Sequence, residues 1–498
     1  MKGNVFLVGA GPGDAQLITL KGLECIKKAD VIVYDRLVSK KLLDYKKKHC
    51  ELIYVGKKSS HHTKTQEEIN EIMYQKAMEG KVVTRLKGGD PYVFGRGGEE
   101  AQYLKEKKID VEVIPGITSA IGGLAYAGIP ITHRNHASSF HVITGHLKEE
   151  EKDLNWKVLA KLKGTLVFLM GMSELEHITQ NLIKNGMKED TPVAVINWAT
   201  TNKQTVVTGT LKDIYEITLK KALSSPSIIV VGRVVNLRQD LNFFENKPLY
   251  GKKILVTRAR NQASKLTQKI YELGGTSIEF PVIQIKDLSN QPSIIQEIQR
   301  IEQYNYIIFT SQNGAKLFFH RFFSLGLDIR KLANMTIVSI GKATAKEIEK
   351  YHLHVDIIPK KYIAEGIFEE LKDRLVPEDK ILIPRAKNSR DFLIEQLSNI
   401  CLVKELKIYE TLLGEGVESK EKIKNLLKKK EIDYVTFTSS STVRNLIKIL
   451  KNPKILQDIK LISIGPITSK AIENFGLNVY KQAKNYDIDG LIEILKQD

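Results

Sequence analysis

The stretch Arg85-Leu86-Lys87-Gly88-Gly89-Asp90-Pro91-Tyr92-Val93-Phe94-Gly95-Arg96-Gly97-Gly98-Glu99-Glu100 decides how the front half of the chain is read. It follows the apolar pair Val82-Val83 and leads into a helical pattern from Glu99 to Lys107. That predicts a loop at the C-terminal end of a strand, where open α/β sheets hold their ligands. The glycines let a ligand approach the backbone without meeting a Cβ. Asp90 precedes Pro91 and is biased to an extended conformation, which fixes its carboxylate on the loop rim. Taken alone, the segment also reads as an ordinary glycine-rich turn; its neighbours give it meaning.

Upstream, strand and helix patterns alternate. Val5–Val8 is a strand running into Gly9-Ala10-Gly11-Pro12-Gly13-Asp14, followed by a helix from about Thr19 to Lys28. Val31–Tyr34 is a strand ending at Asp35, and Leu52–Val55 one ending at Gly56-Lys57. A helix over Gln66–Met78, strands Val82–Arg85 and Val111–Ile114, and the segment Pro115–Ala120 complete the series. Such alternation implies a largely parallel sheet. From about Phe140 the strands become denser, and the pair around Asn197–Gln204 reads as a hairpin, so a second, mixed lobe is expected. Asn242–Tyr250, containing Pro248, reads as a linker.

Gly9-Ala10-Gly11 tempts a dinucleotide-fold reading, but the third glycine of GxGxxG would fall on Asp14. Pro12 also removes an N–H donor from any pyrophosphate cradle. A carboxylate on that rim repels phosphate.

With 498 residues, two to four domains are expected. The composition, 42% hydrophobic and 27% charged, is that of a globular protein. Apolar runs such as Thr165–Met170 and Ile228–Val231 are too short to cross a bilayer, and the N-terminus lacks a signal-peptide pattern. Cys25, Cys50 and Cys401 are scattered without CxxC spacing, which points to a reducing cytoplasm and away from disulfides or structural zinc. His61-His62 and His133, His136, His141 and His146 match no zinc spacing, so no metal is expected. The net charge of +18 is carried mainly by lysines spread along helices, the usual look of a solvated surface. It also suits a polyanionic partner. No nucleic-acid-binding pattern accompanies it, whereas a small polycarboxylate fits equally well.

Taken together, Val8–Asp14, Tyr34-Asp35-Arg36-Leu37-Val38, Val55-Gly56-Lys57, Arg85–Glu100, Pro115–Ala120 and Gly128–Arg134 resemble the uroporphyrinogen-III C-methyltransferases of the tetrapyrrole methylase family, in order over roughly residues 1–240. The resemblance implies a two-lobed methylase fold that holds S-adenosylmethionine folded between its lobes. It places cofactor contacts on Pro12, Gly88, Gly89, Asp90, Val93, Thr118, Ser119, Met170 and Ala199, the last standing where relatives usually carry glycine. Asp90 has the chemistry to counter the sulfonium or accept hydrogen bonds from the methionine end. The implied reaction methylates uroporphyrinogen III twice, giving precorrin-2, with Asp35 as proton acceptor and Lys57 as proton donor. Read in isolation, Asp35 is a turn cap and Lys57 a solvated cation. The resemblance also implies a homodimer formed through this half.

From Gly251 the chain repeats itself. Lys253–Ala259 returns as Lys380–Ala386, Phe309-Thr310-Ser311 as Phe437-Thr438-Ser439, and Val338–Thr344 as Ile462–Thr468, at offsets of 127, 128 and 124 residues. The period is too long for a solenoid and predicts two similar parallel α/β lobes. Arg258 and Arg385 have the fork geometry to grip carboxylates. The hydroxyls just past strand ends suit anions or, more simply, cap helices. This arrangement resembles uroporphyrinogen-III synthase, which implies two flavodoxin-like lobes joined by paired linkers at Pro281–Lys286 and Glu405–Glu410. By resemblance Tyr409 assists hydroxyl loss from hydroxymethylbilane, Thr344 and Thr468 line the cleft, and Ser311 and Ser439 meet propionates.

The expected organisation is therefore α/β throughout. A methyltransferase occupies residues 1–241, with lobes of about 1–136 and 137–241, followed by a linker, 242–250. A synthase occupies 251–498, one lobe from 251–282 plus 411–498 and the other from 283–409. The expected function is bifunctional: ring closure, then double methylation toward sirohaem or cobalamin in the cytoplasm, with no nucleic-acid or membrane partner. The alternative is a methylase of a later precorrin with a non-catalytic porphyrin-binding module.

Overall fold

The computed structural model describes residues 2–56, 64–145, 154–258, 260–387, 389, 391–414 and 420–497. The chain divides into two compact units, Met1–Gly251 with Glu272–Gly275, and Lys252–Tyr271 with Thr276–Asp498.

The first lobe of the N-terminal unit is a sheet of β1 (Asn4–Gly9), β2 (Val31–Tyr34), β3 (Glu51–Tyr54), β4 (Val83–Lys87) and β5 (Asp110–Ile114). Its order is β3-β2-β4-β1-β5 and every pairing is parallel. Period-two alternation feeds both faces. Val5, Leu7, Val31 and Val33 pack against Ile69, Met73 and Leu104, while Val8, Ile32 and Leu86 pack against Cys25, Ile26 and Leu42. Helices start where the sequence supplies caps. Thr19 opens Leu20–Lys28, and a reciprocal Thr65–Glu68 box opens Gln66–Met78.

The second lobe contains β6 (Phe140–Thr144), β7 (Thr165–Leu169), β8 (Pro192–Asn197), β9 (Thr205–Thr210) and β10 (Ser227–Val231), in the order β6-β7-β10-β8-β9. Only β6 and β7 pair in parallel, so this sheet is mixed. One face carries Leu166, Phe168 and Ile229 against Leu175, Ile178 and Leu182; the other carries Val167, Ala194 and Val230 against Ala120 and Leu124. The helix Ser119–Tyr126, which leaves the first lobe, thus closes the core of the second.

The segment 242–250, expected as a linker, is docked on the N-terminal unit. Phe244 and Leu249 are buried, the Tyr126 and Phe244 rings lie 4.8 Å apart, and Glu245 pairs with Arg238 and accepts a hydrogen bond from Gln204 Nε2 at 2.8 Å. Pro248 suggested a break in the chain, but the aromatic residues beside it provide enough apolar surface to dock the segment.

The C-terminal unit has two sheets. One consists of β11 (Lys253–Val256), β12 (Thr276–Glu279), β18 (Tyr434–Phe437), β19 (Lys460–Ser463) and β20 (Lys481–Gln482), all parallel, in the order β12-β11-β18-β19-β20. The other consists of β13 (Ile283–Asp287), β14 (Tyr306–Phe309), β15 (Thr336–Ser339), β16 (Lys380–Ala386) and β17 (Leu402–Leu413), in the order β13-β17-β16-β14-β15. This lobe is parallel except at its edge, where β13 runs antiparallel to β17. Of the stretches read as paired linkers, most of Pro281–Lys286 and the end of Glu405–Glu410 lie in this ladder, while Glu405–Lys407 pair with β16. Ile283 lies opposite Leu413 and Asp287 opposite Tyr409, and Gly414 N donates to Val282 O at 3.0 Å where the chain leaves the sheet. The backbone groups of two adjacent connections satisfy one another by pairing.

Candidate functional site

The ends of β1, β4 and β5 converge in the first lobe. Gly11 N donates to Gly89 O at 3.2 Å and Gly89 N to Gly11 O at 2.7 Å, so the two loops form a bridge. Gly116 seals the junction. A Cβ added there would lie 2.3 Å from Gly89 O and 2.7 Å from Gly9 Cα. By contrast, a Cβ at Gly89, whose φ is +71°, would meet only Thr118 Cα at 3.8 Å and Ser119 N at 3.9 Å. The backbone is therefore crowded at Gly9 and Gly116 and open at Gly89, toward Thr118 and Ser119. Such a cradle suits a ligand read by backbone groups, as the adenosine end of S-adenosylmethionine would be.

Asp90 holds this geometry. One oxygen accepts from Tyr92 N at 2.8 Å and the other from Gly116 N at 2.9 Å. Its carboxylate ties two loops together as well as placing negative charge at the rim. Pro12 faces Gly122, where a Cβ would lie 2.9 Å from the ring. Thr118 caps the helix beginning at Ser119, and Gly88 is pressed against Leu37, whose Cβ would lie 2.7 Å from an added Cβ. Val93 packs on the second lobe's core. Ala199 is buried after β8, its carbonyl 3.1 Å from a Cβ built on Gly13. Met170 follows β7 at φ +57° with its side chain half exposed.

Asp35 follows β2. Oδ1 accepts from Leu37 N at 3.0 Å, the turn cap of the simple reading, and Oδ2 lies 3.7 Å from Arg85 Nη2. Arg85 belongs to a buried network that the sequence did not announce. Arg85 Nε and Lys87 Nζ reach Glu100 Oε1 at 3.3 and 2.7 Å, and Gln66 Nε2 donates to the same oxygen at 3.2 Å. Glu100 is fully buried, and its Oε2 has no partner. Burial lowers the Lys87 ammonium below the usual lysine range, with the Arg85 charge adding to the effect and Glu100 opposing it. The one signal available in the sequence was alternation, which points Arg85 and Lys87 to the same face as each other. Lys57, His61, His62 and His146 lie outside the described residues.

A second missed device joins the lobes. Asp14 N donates to Thr200 Oγ1 at 3.0 Å, and Tyr126 OH donates to Asp14 Oδ2 at 3.0 Å. Burial and the Asp14 carboxylate push the Tyr126 phenol well above its ordinary range. Asp14, read as a carboxylate that spoils a phosphate site, therefore links the two lobes.

In the C-terminal unit Tyr409 lies within β17, between Ala386 and Asp287. Its hydroxyl is 3.0 Å from Ser311 Oγ, which also caps the helix Gln312–Ser324 by accepting from Gly314 N at 3.0 Å. Burial pushes the phenol up, with the Ser311 hydrogen bond opposing it, so the neutral donor persists at physiological pH. Ser439 caps Ser440–Leu450 in the matching place of the other lobe, its Oγ accepting from Thr442 N at 3.3 Å. Thr344 and Thr468 are buried in the first turns of Lys342–Glu349 and Pro466–Glu473. The two arginines part company. Arg258 is half-buried, and burial pulls its guanidinium below the usual arginine range. Arg385, expected to grip substrate, is engaged within its own lobe. Its side chain is 4% exposed, with Nη2 donating to Ser389 O at 2.7 Å and Asp391 Oδ1 at 2.8 Å, and Nε 3.4 Å from Glu405 Oε1. Asp391 and Ser389 hold its Nη2, while Nε and Glu405 Oε1 are buried without a hydrogen bond among the described residues.

Among the described residues no group of three or more His, Cys, Asp or Glu side chains is placed to hold a metal, and no helix is long and apolar enough to cross a membrane.

Residues 4–215 match the family model of tetrapyrrole (corrin/porphyrin) methylases, and residues 264–493 match that of uroporphyrinogen-III synthase HemD. Porphyrin biosynthesis protein HemD of Ruminiclostridium josui is 39% identical over 495 residues, which is 99% of this chain and 97% of its own length. Uroporphyrinogen-III C-methyltransferase of Methanocaldococcus jannaschii is 55% identical over 238 residues, 48% of this chain and 98% of its own. The crystal structure of uroporphyrin-III C-methyl transferase from Thermus thermophilus complexed with S-adenyl homocysteine is 39% identical, covers 47% of this chain and 100% of that one, and has a TM-score of 0.41. The chain belongs to the tetrapyrrole methylases through its N-terminal half and to the uroporphyrinogen-III synthases through its C-terminal half, and is a bifunctional enzyme of tetrapyrrole biosynthesis.

Proposed function

We propose that the C-terminal half closes hydroxymethylbilane to uroporphyrinogen III and that the N-terminal half uses S-adenosylmethionine to methylate this product twice, giving precorrin-2 for sirohaem or cobalamin. The observation that carries the methyl-transfer reading is the crevice of Gly9, Gly89 and Gly116, closed to any side chain on one side and open toward Thr118 and Ser119 on the other. When bound, S-adenosylmethionine supplies an electrophilic methyl on sulfur. The chain's part is alignment and charge. Asp90 braces the loops and offers negative charge, while Pro12, Gly88, Val93, Met170 and Ala199 line or support the crevice. Asp35, 3.7 Å from Arg85 Nη2, accepts the proton released by the methylated ring. Lys57 is the proposed proton donor.

In the C-terminal half, the neutral Tyr409 hydroxyl donates a proton to the departing hydroxyl of the substrate, which leaves as water. Ser311 orients that phenol. Arg258, Arg385, Ser439, Thr344 and Thr468 serve the substrate's carboxylates and cleft. The net charge of +18 favours the encounter with a polycarboxylate. A homodimer through the methylase half completes the proposal.

The test supplies the full chain with hydroxymethylbilane, with and without S-adenosylmethionine, and identifies the tetrapyrrole by mass and absorption. Uroporphyrinogen III without the methyl donor, and a dimethylated product with it, are expected. Uroporphyrinogen I, the product of spontaneous closure, would sink the synthase half of the reading; an unmethylated product would sink the other. Light scattering of the purified chain checks the dimer.

A further inference from the structure

The internal duplication extends beyond the helices opened by Gly341 and Gly465. Lys360-Lys361-Tyr362 aligns with Lys484-Asn485-Tyr486, followed by Gly366 with Gly490 and Leu371 with Leu495, at an offset of 124 residues. The two loops hold the same place in each lobe. One follows the parallel bridge of Ile357 to β15 and the other follows β20 beside β19, and each enters a helix, Ala364–Leu371 or Ile488–Lys496. They also share their conformation. A Cβ on Gly366 would lie 2.1 Å from Lys361 O, and one on Gly490 would lie 2.1 Å from Asn485 O.

Within this shared frame the tyrosines stand out. Tyr362 is 51% exposed and Tyr486 66%, although each ring is packed against a glycine. A Cβ on Gly341 would lie 2.9 Å from Tyr362 Cγ, and one on Gly465 would lie 3.1 Å from Tyr486 Cδ1. Those glycines have φ values of 178° and 176°, extended backbone open to any residue, so their lack of a side chain serves the ring rather than the turn. Neighbouring positions have diverged, with Lys361 against Asn485, Ile363 against Asp487 and Ala364 against Ile488. Tyr362 and Tyr486 are the one pair of exposed aromatic residues in matching positions of the two lobes among the described residues. Neither hydroxyl has a hydrogen-bond partner there, and Lys360 and Lys484 are exposed beside them. The loops sit at the C-terminal edge of parallel strands, where α/β sheets bind ligands.

We infer that Lys360-x-Tyr362 and Lys484-x-Tyr486 are duplicated substrate-gripping elements of the synthase half, each offering an aromatic face to a pyrrole ring and an ammonium to that ring's carboxylates. This rests on the reading of the C-terminal half as a cyclising synthase. A linear tetrapyrrole repeats one chemical unit, a flat electron-rich ring carrying acids, and a duplicated protein element suits a repeated ligand element. Loss of the hydroxyl leaves positive charge on the pyrrole system, which a tyrosine face stabilises.

The test uses the full chain and hydroxymethylbilane. Tyr362→Leu and Tyr486→Leu are each expected to raise KM about tenfold, and to increase the share of uroporphyrinogen I, from the size of one lost aromatic contact. Tyr→Phe at either position should stay within about twofold of wild type, because the ring and not the hydroxyl makes the contact. Gly341→Ala, which displaces the Tyr362 ring while keeping the tyrosine, should raise KM as Tyr362→Leu does. Methylation of supplied uroporphyrinogen III by the same chains, together with their melting curves, reports that the variants are folded. Leu variants with wild-type KM and only type III product would overturn the inference, as would Phe variants no better than Leu. Wild-type chain yielding uroporphyrinogen I alone would overturn the parent reading, and this one with it.

Discussion

Replacing Gly116 with alanine tests the crevice at its tightest point. The added methyl would lie 2.3 Å from Gly89 O, about 1 Å inside an ordinary contact, and 2.7 Å from Gly9 Cα, about 0.8–1.3 Å inside the ~3.5–4.0 Å of carbon–carbon contact. Neither neighbour is a flexible side chain, so the β1, β4 and β5 loops must separate by about 1 Å. Gly116 N would then be pulled from Asp90, to which it donates at 2.9 Å. Overpacking of this kind costs about 1–3 kcal/mol. Borne by the ligand-competent arrangement, that is a loss of about 5- to 150-fold in affinity. Calorimetric titration with S-adenosylhomocysteine measures it directly, and ring closure by the C-terminal half of the same chain reports integrity elsewhere. Gly98→Ala is the control, since a Cβ there meets nothing within 4 Å. Wild-type affinity in Gly116→Ala, with the control unchanged, would refute a cofactor crevice built on these three loops.

Glu100→Gln leaves Arg85 and Lys87 buried beside a neutral amide, and a loss of about 3–5 kcal/mol in urea unfolding of the N-terminal unit is expected. Arg385→Leu leaves Glu405 only Lys407 as a partner among the described residues and the exposed Asp391 free to be hydrated, so stability should fall by less than in Glu100→Gln, about 1–2 kcal/mol, while KM for hydroxymethylbilane rises. An unchanged KM with that loss of stability would confine Arg385 to its own lobe. Burial holds the Tyr409 phenol above its ordinary range, so the alkaline limb of ring closure should lie above pH of about 10, and Tyr409→Phe should slow closure on the order of a hundredfold. The same shift stabilises the fold fully below the unfolded pKa and is lost as pH rises through the folded one, which alkaline unfolding of wild type against Tyr409→Phe would reveal.

The strand–helix alternation and parallel sheet of the first lobe and the duplication of the second half were legible because both rest on local signals, apolar alternation and strand-end glycines. The β13–β17 ladder was not, because Pro281–Lys286 carries no turn signal and pairs with residues about 125 positions away. Arg258 and Arg385 occupy equivalent places in the repeat and looked interchangeable; only the fold brings Glu405 and Asp391 to one of them. Asp35 was readable as a cap, and the Leu37 N–H bond accounts for that much. Its guanidinium neighbour, fifty positions on, required coordinates. Asp14 and Tyr126 were invisible as a pair for the same reason: a lone carboxylate says nothing about which lobe it will join.

The sheet holding β11 is assembled from two stretches of chain separated by a whole lobe, with Lys253 N donating to Asp433 Oδ2 across 180 residues at 2.7 Å. During synthesis β11 and β12 emerge early and must wait with one flank unpaired until β18 is delivered. At about 5–20 residues per second, that is roughly ten to forty seconds on the ribosome. The intervening lobe has all its own strands by then and can fold first. Messages cut short between the two stretches would yield a chain whose orphaned β-edge invites aggregation, so the cell's chaperones should engage this protein chiefly in that interval.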